Sequence, residues 1–94
     1  SLHQGWEAIR LGRPLFLAKS LFDEMPAADQ AERLAQFEAQ RLAELAPPVA
    51  RAWRRDGIHS RIAAGTFYRW LAASMWPGDV TDRELLEFAM SREG

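Results

Sequence analysis

Arg13-Pro14-Leu15-Phe16-Leu17-Ala18-Lys19-Ser20-Leu21-Phe22-Asp23-Glu24-Met25 is the stretch on which the fold turns. Over residues 14–18 alone, four apolar residues behind a proline read as a short buried strand. Over the whole stretch, Leu17, Ala18, Leu21, Phe22 and Met25 form a stripe at three- and four-residue steps. Pro14 then takes the first helical position, where its fixed φ suits the helix and its missing N–H costs nothing. The longer period favours a helix. A strand at 14–18 would stand alone, because no other segment alternates apolar and polar residues over a strand's length. Its pairing partners would have to come from another chain or from additional sequence.

Working outward, Leu2, Trp6 and Ile9 share one face of a preceding helix that Gly12 would close. Downstream, Pro26 ends the second element, and 27–46 is rich in alanine, leucine, glutamate, glutamine and arginine. That composition predicts a long helix with Ala31, Leu34, Ala35, Leu42, Leu45 and Ala46 turned inward. Pro47-Pro48 breaks the chain and starts a helix over 48–55, whose apolar side is Val49, Ala52 and Trp53; Asp56-Gly57 stops it. A helix over 60–75 groups Ala63, Phe67, Trp70, Leu71 and Ser74, and Trp76-Pro77-Gly78 reads as a turn. Thr81-Asp82-Arg83-Glu84 matches a capping box, in which the threonine hydroxyl accepts the Glu84 amide and Glu84 reaches back. It opens a last helix that buries Leu85, Leu86, Phe88, Ala89 and Met90. The expected fold is all-α, a single helical domain over 1–94 built as a small bundle of about five helices. The alternative adds one short strand at 14–18 that pairs outside the chain.

Composition sets the outer bounds. Apolar residues make up 48% of the 94 positions and charged residues 27%, which is ordinary for a globular domain and too apolar for a disordered one. With no cysteine, disulfides, thiol chemistry and zinc–thiolate sites are excluded. No apolar run exceeds four residues, as at Leu15 to Ala18, far short of a membrane span, and no leader-like segment opens the sequence. A cytoplasmic protein with no membrane contact is expected. The first residue is Ser1, so a fragment of a longer protein remains open.

Charge is unevenly placed. Between 51 and 71 lie Arg51, Arg54, Arg55, Arg61 and Arg69 against a single acid, Asp56, in a chain whose net charge is −1. The segment ends in Thr66-Phe67-Tyr68-Arg69-Trp70-Leu71, so the positive charge is interleaved with aromatics, a pattern that suits a polyanion or an acidic protein. Arginine's excess over the lone Lys19 also tracks genome base composition, which discounts the count but not the clustering.

Catalytic constellations are absent from the pattern. His3 and His59 are far apart and show no metal-ligand spacing, and the glycines form no phosphate loop. Asp56, His59 and Ser60 are the residue types of a triad, but loop neighbours do not normally reach the base-to-nucleophile geometry. Asp79/Asp82 and Glu84/Glu87 read more simply as complements to a helix dipole. No catalytic residue, metal or cofactor is expected, and the protein is read as a non-enzyme.

Two segments resemble known families. Ser60-Arg61-Ile62-Ala63-Ala64-Gly65-Thr66-Phe67-Tyr68-Arg69-Trp70-Leu71 resembles the helix-turn-helix of bacterial regulators and transposase-type proteins. Gly65 directly precedes Thr66 here, so the resemblance moves the turn to Asp56-Gly57. It implies DNA binding, with Thr66, Tyr68 and Arg69 facing a groove or phosphates and Phe67, Trp70 and Leu71 in the core. Leu11-Gly12-Arg13-Pro14-Leu15-Phe16, within residues 2–17, is similar to a helix-then-strand passage near the end of the Rossmann-like domain of the DNA-processing protein A family. That resemblance covers about the first fifth of the chain. It implies a C-terminal fragment of a nucleotide- or single-stranded-DNA-handling protein, and it transfers no binding residue.

The first expectation is a non-enzymatic helical binding module working through Arg51, Arg54, Arg55, Arg61, Thr66, Tyr68 and Arg69. Tryptophan and arginine are the residues most enriched at protein interfaces, and a sequence pI near 6.1 is unusual for a domain that binds DNA alone. Protein partners or self-association into an oligomer come first, a DNA-binding regulator second, and the Rossmann-like fragment third.

Overall fold

The structure, a computed structural model, describes residues 14–75 and 80–90. Among them are five helices: α1 (Pro14–Glu24), α2 (Ala27–Arg41), α3 (Pro47–Asp56), α4 (Arg61–Met75) and α5 (Asp82–Met90). Short 3₁₀ turns at Leu42–Glu44 and Gly57–His59 link α2 to α3 and α3 to α4. No strand occurs among the described residues, so the fold is the expected all-α bundle. The helix expected over 2–11 and the turn at 76–78 lie outside the described residues.

Pro14 does open a helix. Leu15, Ala18 and Phe22 are buried at three- and four-residue steps, which is why the stretch folds as α1 and not as the alternative strand. The helix-then-strand passage implied for these residues is therefore helical from Pro14 onward. Pro26 halts α1, and the amide of Met25 bonds back to the Phe22 carbonyl at 3.0 Å. Gln30 on α2 donates its side-chain N–H to the same carbonyl at 2.9 Å, satisfying a helix-end acceptor that would otherwise depend on water.

α2 is shorter than its composition suggests. It ends at Arg41, and the chain tightens into a 3₁₀ turn before Leu45 and Ala46 become extended, with ψ near 147° and 143°. The proline at 47 accounts for the extended Ala46, because a residue preceding proline is driven out of the helical region. The next helix starts at Pro47, one residue earlier than expected. Its inward face also differs from the expectation. Ala31 and Ala35 are exposed, and the single buried residue of α2 is Phe37, fully enclosed, with Leu34 and Leu42 half-buried beside it.

The helices converge on α4. Its residues Ala63, Ala64, Gly65, Phe67, Tyr68, Leu71 and Ala72 are buried because α1, α3 and α5 each cover part of it. Phe67 is the hub, with ring centroids 5.2 Å from Phe22, 5.3 Å from Phe37 and 6.0 Å from Trp53. The Phe37 ring stands perpendicular to that of Phe67, the edge-to-face arrangement that ring quadrupoles favour. Trp53 adds a polar tie by donating its indole N–H to the Glu38 carboxylate at 3.0 Å, which fastens α3 to α2.

Gly57 ends α3 with φ of 61°, the left-handed conformation that glycine enters without steric penalty. Gly65 serves a different purpose: it lies in the middle of α4, where a Cβ would sit 2.8 Å from Leu85 Cδ1. Its missing side chain lets α5 approach closely. The chain turns at Gly57, and α4 runs straight through Gly65.

The capping box before α5 forms in a modified way. The Thr81 hydroxyl accepts the Glu84 amide at 3.1 Å and donates to the Glu84 carboxylate at 3.1 Å, so the return contact goes to the hydroxyl. Of the side chains expected inward on α5, Phe88 is buried, but Leu86 and Met90 are largely exposed. Loss of a threonine cap costs about 1 kcal/mol. Thr81→Ala should accordingly lower the melting temperature by roughly 4–8 °C for a domain of this size. Thermal unfolding followed by circular dichroism checks this, and an unchanged midpoint would show that α5 does not depend on its cap.

Candidate functional site

The seven residues expected to form one surface divide into three groups. Arg51, Arg54 and Arg55 occupy successive outward positions of α3, spaced so that they share the arc opposite Val49, Ala52 and Trp53. All three are exposed. Arg55 contacts the neighbouring Asp56 carboxylate at 2.8 Å, a surface pair of small energetic value that leaves the guanidinium open to solvent. Arg51 and Arg54 form no ion pair or side-chain hydrogen bond among the described residues.

Thr66 and Arg69, both half-exposed, share a stripe of α4 with the exposed Ile62 and Ala73. Both are already engaged. The Thr66 hydroxyl donates to the Ile62 carbonyl one turn back at 2.9 Å, and Arg69 reaches Asp82 at the start of α5 at 3.1 Å. Asp82 is 96% exposed, so water and salt screen that pair and it contributes little to stability.

Tyr68 belongs to the core. It is only 3% exposed and packs its ring against Phe22, Phe67 and Phe88. The expected groove-facing role does not survive that burial. Phe67 and Leu71 are buried as the same resemblance implied, and Trp70 is half-buried against Phe37 and Phe67. The interleaving of arginine with aromatics is thus the amphipathicity of two helices seen in one dimension: the rings face inward and the guanidinium groups outward.

Arg61 stands apart from the α3 trio. It begins α4 after the 3₁₀ turn and lines a cleft of about 410 Å³ between that turn, α1, α2, α4 and α5. Lys19, Asp23, His59 and Tyr68 line it as well. Sequence reasoning missed this cleft because its polar groups come from segments some forty residues apart, which no local spacing brings together.

Among the described residues, no group of three or more histidine, aspartate or glutamate side chains is placed to hold a metal ion. No helix among them is long and apolar enough to cross a membrane. Comparison of the chain with protein-family models, with curated proteins and with solved structures finds no match.

Proposed function

We propose that this protein is a non-enzymatic helical binding module that docks an acidic protein surface, another chain's or a second copy's, onto the outer face of α3. The observation that carries the reading is the state of that face: Arg51 and Arg54 are exposed and unpaired among the described residues, with Arg55 beside them. Three guanidinium groups on ten residues of rigid helix form a preorganised cationic strip, and arginine's planar fork pairs carboxylates two bonds at a time. The buried aromatics hold the strip's backbone in place and do not themselves supply contacts.

A groove-reading mode is less well supported, because Tyr68 is buried and Thr66 and Arg69 are occupied within the fold. Phosphate contact through α3 would depend only on charge and is separated from protein docking by experiment.

Arg51→Glu/Arg54→Glu reverses the strip while touching no internal contact. Solution mass across concentration, and anisotropy titrations with a labelled poly-glutamate peptide and a labelled DNA duplex, read its effect at low and physiological salt. The expected result is saturable peptide binding or self-association in the parent, weakening as salt rises and falling at least tenfold in the double variant. Tight binding to duplex alone, with a steep salt slope, would move the assignment to DNA. Binding that survives the double reversal would remove α3 from the site.

A further inference from the structure

The cleft beside Arg61 carries an inference independent of the α3 face. Its volume of about 410 Å³ falls within the range of small-molecule sites. Its apolar walls include Phe22, Ile58 and Phe88, and its charged groups are Lys19, Asp23 and Arg61. Lys19 and Asp23 contact each other at 2.7 Å, so the net charge of the lining is the single positive charge of Arg61. Arg61 forms no ion pair among the described residues.

The second observation is the Tyr68 hydroxyl. The residue is 97% removed from solvent, it lines this cleft, and its hydroxyl makes no hydrogen bond among the described residues. Nearly buried phenols generally find a partner. Burial, with the Asp23 carboxylate adding, raises this phenol above its ordinary titration range, so it remains protonated and serves as a donor. The cleft thus brings together a neutral phenol, a net positive charge and aromatic side chains in its lining.

We infer that this cleft binds a small organic anion with a flat apolar body, its anionic group meeting Arg61 and the Tyr68 hydroxyl and its body lying against Phe22 and Phe88. An amine-bearing analogue would meet Arg61 as a like charge, and a neutral one would leave it unpaired, so the selectivity is for charge as well as shape.

Amide chemical-shift titrations of the intact chain with benzoate, benzyl alcohol and benzylamine test this. Benzoate is expected to produce saturable shifts at Phe22, Ile58, Arg61 and Ala64 at millimolar concentration, with the other two weaker. Tyr68→Phe keeps the ring and removes only the hydroxyl. It should weaken benzoate about five-fold, the usual worth of one hydrogen bond, while leaving the melting temperature nearly unchanged, since the packed ring is kept. Arg61→Gln should weaken benzoate further and abolish its advantage over benzyl alcohol. Equal shifts from all three probes, no saturable shift, or a Tyr68→Phe variant that binds benzoate as the parent does would each overturn the assignment. Arg51→Glu/Arg54→Glu should leave benzoate binding intact, so failure of the α3 proposal and failure of this one are distinguishable.

Discussion

Phe67→Ala is expected to lower stability by about 3–5 kcal/mol, the range for emptying a fully enclosed phenylalanine site. Phe67 has no exposed surface and its ring lies within 6.0 Å of the rings of Phe22, Phe37, Trp53, Tyr68 and Trp70. These come from α1, α2, α3 and α4 itself, so the cavity would open where four helices meet and no single one could move to fill it. Domains of this length are stable by roughly 5–14 kcal/mol. The variant should therefore lose at least about 12 °C of melting temperature, and a less stable parent would not fold at all. Denaturant titration of both proteins measures the difference; a loss below about 2 kcal/mol would mean that the rings are not organised around Phe67.

Phe37→Ala should cost a similar ~3–5 kcal/mol, but with a different distribution across the molecule. Phe37 is the sole buried side chain of α2 and touches Trp53, Phe67 and Trp70. Removing it leaves α2 held by the Trp53–Glu38 bond, the Gln30 contact to Phe22 and half-buried Leu34. Hydrogen exchange should then show the amides of α2 opening well before those of α4. As a control, Ala31→Glu and Ala35→Glu lie on exposed positions and should change stability by less than about 0.5 kcal/mol. If those two alanine variants proved damaging and Phe37→Ala did not, the orientation of α2 would have to be rotated.

That control marks where the sequence was misread. The stripe through Ala31 and Ala35 fits a helical period, but alanine is compatible with either side of a helix and says little about which way it faces. The lone aromatic, Phe37, was the stronger signal, with Leu34 one turn before it. α1 was legible as a helix because Leu17, Ala18, Leu21, Phe22 and Met25 fit a helical period behind Pro14, but the face it buries is Leu15, Ala18 and Phe22, with Leu21 exposed. The starts of α2 and α3 followed from prolines, that of α3 one residue earlier than expected, whereas α2 gives way to a 3₁₀ turn at Leu42, short of the expected end at 46. α4 was harder to read. Three helices cover three of its sides, so no single polar face separates Tyr68 from Arg69, and adjacent residues with opposite environments looked like one surface. The α3 strip was readable for the opposite reason, since that helix has one covered side and one free side. The cleft at Arg61 depends on how α1 and α4 are docked, which local pattern does not contain.

The division of α3 into an inner and an outer half has a bearing on descent. Ala52 and Trp53 are restrained by the interior, whereas Arg51 and Arg54 satisfy no neighbour among the described residues. Selection for folding alone would let those two positions drift among most polar side chains. Persistence of a positive charge at both, through lineages in which the rest of the outer surface has changed, would have to be enforced by something the protein meets.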